Sequence, residues 1–325
     1  MVRGAAIWCL LMFTVGAHDW SYHEDADGQD KWHEKYPACS GKQQSPIAFW
    51  LHEMDVKAYS NAQDKIQLGN YDAMIMNATM INNGYTVLVS IPNEHKLTLS
   101  GGYLPAKYNL LQMHFHWGQD DEESGSEHTI GRSMYPLELH LVHVNEETNT
   151  PEAVLGIFYK LAEDGDIAAV NLELDGIVKH FHQVQHGRTL THIKDFITIT
   201  QFLPKNLGNF IRYKGSLTTP PCTEGLIWTV FTDVQTITRN QLDQFRSLRG
   251  RTESEAVGGN HRHTQPLNGR KVTMYTYQPS TNSSAPSPNK HQLDISSSAP
   301  STGYPLITAL LILAVITLVV GKARL

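Results

Sequence analysis

Between about residues 18 and 278 apolar and polar positions alternate with a period of two in one run after another. The alternation is plainest in Leu110-Leu111-Gln112-Met113-His114-Phe115-His116-Trp117, in Leu137-Glu138-Leu139-His140-Leu141-Val142-His143-Val144 and in Gly225-Leu226-Ile227-Trp228-Thr229-Val230-Phe231. Each run predicts a strand, because successive side chains of extended backbone point to opposite faces. Glycine and asparagine punctuation, as at Asn82-Asn83-Gly84 and Gly101-Gly102, separates the runs. Helical patterns are few and peripheral, around Asp166 to Leu174 and Arg239 to Leu248. No internal repeat or linker breaks this stretch, so a single, mainly β (α+β) domain over 18–278 is expected.

The two ends depart from the pattern. Arg3 precedes an apolar run from Ala5 to Val15, and Val15-Gly16-Ala17 leads into polar His18-Asp19-Trp20, the layout of a secretory signal peptide over 1–17. The run is short of the roughly 20 apolar residues that span a bilayer. After Gln278 the chain turns to Ser, Pro, Thr and Asn, a stalk over 279–305, and 306–325 holds an apolar stretch from Leu306 to Val320. That short stretch, with the small triplet Ser296-Ser297-Ser298 (296–298) and a polar spacer ahead of it, favours a glycosylphosphatidylinositol (GPI) anchor. A single-pass helix stopped by Lys322 and Arg324 is the alternative. On both readings the domain travels the secretory pathway and faces outward from the plasma membrane.

Composition narrows the class. A formal charge of -6 and a pI near 6.3 leave no basic field for a nucleic-acid partner. Loss of the signal removes Cys9 and leaves Cys39 and Cys222 in an oxidising compartment, where they are expected to pair; two unrelated buried thiols are the alternative. Asn77-Ala78-Thr79 and Asn282-Ser283-Ser284 are acceptor sequences for N-glycans there, at Asn77 and Asn282.

The candidate chemistry starts from the same period of two. On a strand His114 and His116 share a face, so two imidazoles can converge on one metal, although such a pair also occurs by chance on exposed strands. On the second strand Glu138, His140, Val142 and Val144 share a face, which makes His140 a third candidate ligand. Three neutral histidines leave a fourth tetrahedral position for water, the arrangement of a catalytic zinc. His143, on the opposite face, reads as a hydrogen-bonded core residue, and His180, His182 and His186 read as a polar surface segment.

Gln112-Met113-His114-Phe115-His116-Trp117-Gly118, Gly125-Ser126-Glu127-His128-Thr129, Glu138-Leu139-His140-Leu141-Val142-His143 and Gly215-Ser216-Leu217-Thr218-Thr219-Pro220-Pro221 resemble the signature segments of the α-carbonic anhydrases. Trp20-Ser21-Tyr22, Gln44-Ser45-Pro46-Ile47 and Asn260-His261-Arg262-His263-Thr264-Gln265-Pro266-Leu267 do so as well, all in the family's order. Cys39 and Cys222 are similar in position to the disulfide of its secreted and membrane-bound members.

The resemblance implies a large twisted, mostly antiparallel central sheet of about ten strands with peripheral helices, and cis peptides at Ser45-Pro46 and Pro220-Pro221. It implies Zn2+ held by His114, His116 and His140, and attack of zinc-bound hydroxide on CO2 to give bicarbonate, with water returning to the site. Gln112, Glu138 and the Asn260 carbonyl would orient the three rings, and Thr218 with Glu127 would orient the hydroxide. Val142, Val154, Leu217, Thr219, Leu226 and Trp228 would line the substrate pocket, and sulfonamides and anions would inhibit. Asn82-Asn83-Gly84 is followed by Tyr85, where the fastest members carry a proton-relaying histidine; His18 or His23 is the alternative relay. A binding module of this fold without catalysis and a zinc esterase are the competing functions.

Overall fold

Extended runs dominate the computed structural model, which describes residues 20–23, 25–120, 125–163, 171–252 and 255–279. In chain order the strands are β1 (Ala48–Phe49), β2 (Asp55–Tyr59), β3 (Ile66–Gly69), β4 (Ala78–Asn82), β5 (Val87–Ser90), β6 (Thr98–Gly101), β7 (Tyr108–Trp117) and β8 (Thr129–Ile130). There follow β9 (Leu137–Asn145), β10 (Pro151–Leu161), β11 (Thr189–Ile193), β12 (Phe210–Ser216), β13 (Glu224–Phe231), β14 (Gln235–Ile237) and β15 (Thr273–Tyr277). Among the described residues the α-helices are short: α1 (Trp32–Lys35), α2 (Leu172–Val178) and α3 (Arg239–Arg246).

Thirteen strands join in one mixed sheet, and ten of them follow the continuous order β11-β4-β5-β7-β9-β10-β13-β12-β15-β2. The expected ten strands are that path; β6 with β3, and β14, extend it beside β7 and β10. Neighbours run antiparallel except β10 with β13 and β14, and β15 with β2. The single mostly β domain is therefore as its alternation predicts.

Alternation also divides the strands between two layers. Met113, Phe115 and Trp117 of β7, Leu137, Leu139 and Leu141 of β9 and Leu155 and Ile157 of β10 face one core, where Ile177 of α2 and Phe245 of α3 pack on them. Val142, Val154 and Phe158 face the other way, against Tyr213, Leu226 and Trp228. Each fully buried side chain of this kind stabilises the fold by roughly 1.5–3 kcal/mol. A register shift between Leu110 and Gln112 inserts an extra residue in β7. That bulge keeps Leu110 in the first core while Gln112 joins the face of the histidines.

Local chemistry sets the helix ends. The Asn171 side chain accepts the Leu174 N–H at 3.1 Å and starts α2 at Leu172; residues 164–170, which hold the first part of the helical pattern expected around Asp166 to Leu174, lie outside the described residues. A reciprocal Thr238–Gln241 capping box starts α3. Ser45-Pro46 and Pro220-Pro221 are cis. Cys39 and Cys222 are joined, with Cα atoms 4.9 Å apart, tying the turn that ends at Ser40 to the β12–β13 connection. Asn77 is exposed; the signal, the stalk from residue 280, Asn282 and the C-terminal apolar stretch lie outside the described residues. No described helix is long and apolar enough to cross a membrane.

The crosslink closes a loop of 183 residues and so limits the unfolded chain. Replacing both cysteines by serine is expected to cost about 2–5 kcal/mol, read as a lower urea midpoint.

Candidate metal centre

The pairing of β7 with β9 sets His114 directly opposite His140 and His116 opposite Glu138. One ring nitrogen from each of His114, His116 and His140 lies within 4.8 Å of the others. The remaining nitrogens have separate partners. His114 Nδ1 donates to Gln112 Oε1 at 3.0 Å, His116 Nδ1 to the Asn260 carbonyl at 2.7 Å and His140 Nε2 to Glu138 Oε1 at 2.7 Å. With those protons committed, His114 Nε2, His116 Nε2 and His140 Nδ1 turn bare lone pairs toward one point.

His116 Nε2 is buried with no hydrogen-bond partner, an arrangement that leaves an acceptor for a cation to satisfy. Burial lowers the pKa of all three rings, His114 well below its ordinary value with His116 and His140 adding to the effect, and His116 to about 4. They stand neutral at pH 7, the form that binds metal. An all-imidazole set of borderline-soft donors suits Zn2+, and the histidines therefore fit that ion.

Behind His140 runs a buried polar chain. Burial would raise the Glu138 carboxyl, but His128 and His140 outweigh it and hold the group well below the usual carboxylate range. His128 donates its Nδ1–H to Glu138 Oε1 at 2.7 Å and its backbone N–H to Oε2 at 2.9 Å. That leaves His128 Nε2 to accept the Tyr213 hydroxyl at 2.7 Å, and Tyr213 to accept from Ser45 at 2.8 Å. Ser45 Oγ in turn accepts the Ser216 N–H at 3.0 Å, two residues before Thr218. His128, Glu138 and His140 also form a compact donor group, but their facing atoms are spent on one another. Gly156 leaves room for this chain: a Cβ there would stand 3.3 Å from Glu138 Oε1 and 3.2 Å from Val230 Cγ2.

Glu127 closes the other side. Its Oε1 accepts the Arg262 N–H at 2.9 Å, and Oε2 lies 3.5 Å from His116 Nε2 and 3.8 Å from His140 Nδ1. Burial pushes this carboxyl up to about 7, against the lowering pull of His140, the Thr218 hydroxyl and the Arg262 N–H. The buried Arg262 guanidinium donates to Gln44 Oε1 at 2.8 Å, the Ser45 carbonyl at 2.9 Å and the Cys39 carbonyl at 3.3 Å. The disulfide segment thus anchors the residue that holds Glu127.

Val142, Val154, Leu226 and Trp228 form a buried apolar wall with Leu217 packed on it, and the Trp228 ring lies 4.8 Å from His140. Thr219 is partly exposed. Tyr85 stacks on Trp20 at 3.9 Å, donates to the Trp20 carbonyl at 3.2 Å and accepts from Arg251 at 2.9 Å. Burial pushes its phenol up, with Arg251 opposing. His128, Tyr213, Ser45 and Arg262 were not singled out from the sequence. His128, Ser45 and Arg262 stand inside the quoted motifs, but partners 85, 168 and 223 residues apart leave no local spacing signal.

Sheet and site together define a single-domain β protein with a three-imidazole centre. A family model described as eukaryotic-type carbonic anhydrase matches residues 27–276. The chain is 34% identical over 277 residues to carbonic anhydrase 6 of Bos taurus, covering 82% of this chain and 84% of that protein. It is 35% identical over 274 residues to carbonic anhydrase 3 of Mus musculus, 79% of this chain and 98% of that one. Against carbonic anhydrase 12 of Homo sapiens it is 32% identical over 237 residues, 70% and 63% of the two. The chain belongs to the eukaryotic-type carbonic anhydrase family.

His143, on the core face, hydrogen-bonds the Tyr71 hydroxyl, and burial brings its pKa down to about 3. Between that value and about 6.5 the unfolded chain binds a proton here that the folded chain does not, so acidification through this window removes stability. His143→Gln is expected to flatten the stability slope between pH 6 and pH 4 by about one proton, read by urea unfolding at several pH values.

Proposed function

We propose that the protein is a zinc-dependent carbonic anhydrase that interconverts CO2 and bicarbonate at the extracellular face of the plasma membrane. The observation that carries this reading is the set of three imidazoles whose outward nitrogens are each tied to a different acceptor, leaving three lone pairs converging. Zn2+ held by His114 Nε2, His116 Nε2 and His140 Nδ1 supplies a Lewis acid and acidified water, for which carbonic anhydrases are the reference case.

The chain's own residues do the rest. Gln112, Glu138 and the Asn260 carbonyl fix ring directions. Thr218 gives its hydrogen to Glu127 and accepts one from the attacking oxygen, which leaves a lone pair directed at CO2. The same polarity admits a deprotonated sulfonamide nitrogen, which keeps one hydrogen to donate, so sulfonamides inhibit, and small anions would inhibit through their attraction to the cation. Val142, Val154, Leu217, Leu226 and Trp228 hold CO2 against an apolar wall without hydrogen bonds, with Thr219 at its rim. Bicarbonate leaves, water returns and a proton must depart.

The leader pattern, the Cys39–Cys222 bond and the sequons support the outward-facing compartment, and the short C-terminal apolar stretch favours a GPI anchor, testable by phospholipase release. The presence of His114, His116, His140, Glu127 and Thr218 argues against a binding module without catalysis. Ester hydrolysis fits as a side reaction of the same nucleophile.

His140→Ala is expected to lose both zinc and CO2 hydration; stoichiometric zinc with near-normal turnover would show the ligand assignment wrong. The Tyr85 phenol is a poor relay at neutral pH, and Trp20 and Arg251 clamp it. We expect kcat to rise with added imidazole buffer and in Tyr85→His, while kcat/KM stays unchanged. A kcat indifferent to both turns attention to His18, which lies outside the described residues, and to His23, which lines a small cavity with Tyr85 and Arg251.

A further inference from the structure

The path of the sheet ends in two edge strands, β2 and β11, and sheet edges invite pairing with other chains unless something blunts them. β2 carries Asp55 and Lys57, and Asp55 is bridged to Lys271 at 2.7 Å. β11 reads Thr189-Leu190-Thr191-His192-Ile193, with no acidic residue, lysine, arginine or proline, and among the described residues it pairs only with β4.

An apolar patch adjoins this uncharged edge. Ile75 and Ile197 are bridged antiparallel and both are buried, so their neighbours Met74, Met76 and Phe196 turn outward, with Met76 across from Phe196. Met74 is 65% exposed, Met76 44% and Phe196 56%, and Leu190 on β11 is 54% exposed. Exposed apolar side chains grouped in this way mark a contact or a liability.

The residue after Met76 is Asn77, the acceptor of the Asn77-Ala78-Thr79 sequon. It is exposed and takes the left-handed conformation, φ 57°, which asparagine tolerates. The next residue, Ala78, already pairs with Ile193 of β11. The acceptor thus stands between the patch and the unguarded edge.

We infer that Asn77 carries an N-glycan that covers the β11 edge and the Met74–Met76–Phe196 patch and keeps two copies of the domain from associating there. In the attachment the Asn77 amide nitrogen bonds to the anomeric carbon of the first sugar of a lipid-linked pyrophosphoryl oligosaccharide. That carbon's bond to the pyrophosphate breaks, and the amide proton is released with no redox change. The apolar faces of the first sugars pack on Phe196 and Met76, and the hydrated remainder excludes a second sheet edge. This rests on the secretory compartment proposed above but not on the zinc chemistry.

The test uses the full chain from a eukaryotic secretory host, in mild detergent. Peptide mapping after endoglycosidase trimming is expected to find N-acetylglucosamine on Asn77. Asn77→Gly, which suits the positive φ, and wild-type protein made with glycosylation inhibited are both expected to self-associate about tenfold more tightly in sedimentation velocity. CO2 hydration should not change, and Phe196→Lys added to Asn77→Gly should restore the monomer. A secreted protein with its leader removed and Asn77 bare overturns this inference alone; a retained leader overturns the compartment as well. Unchanged association in both unglycosylated forms overturns the shielding role.

Discussion

A slip of one residue between β7 and β9 would turn Glu138 and His140 into the leucine core and bring Leu139 and Leu141 to the histidine face. Every other feature of the centre depends on that register. Both faces of β9 are buried, so the leucine face meets the α2 and α3 core only when the polar face meets β7's imidazoles. The apolar layer, and not the polar residues themselves, thereby fixes where His114, His116 and His140 converge.

Burying this much polarity is costly unless each group finds a partner. Glu138 accepts from His140 on one side and from His128 on the other, and Tyr213 and Ser45 each donate onward toward His128, so the His140 tautomer is set by the ionised Glu138 that this chain holds in place. Ser45 continues it to Ser216, at the start of the loop that carries Thr218. Arg262 makes the second link, from the disulfide segment at Cys39 to Glu127. The two sides of the centre are therefore braced from one region of chain, residues 39–45.

The strands and their faces were legible because alternation has a fixed period, and so the same-face relation of His114 with His116 and of Glu138 with His140 could be read directly. The β7 bulge could not, since an extra residue leaves no mark in a run whose positions 110 and 111 are both leucine. The cap that opens α2 at Asn171 leaves no mark in the hydrophobic pattern, because it is a single side-chain hydrogen bond. Tyr213 and Arg262 were missed because their roles come from contacts across long separations in the chain, where only the folded sheet brings the partners together.

The central claim is that the three inward nitrogens form a zinc site with one position left for the reaction. Zinc-edge X-ray absorption on the purified protein tests it most directly. The account predicts one zinc per chain with three imidazole nitrogens and one further light ligand at about 2.0–2.1 Å, the light ligand exchanging when a sulfonamide is added. Absence of stoichiometric zinc, or a shell closed by four protein donors that ignores the sulfonamide, would contradict it.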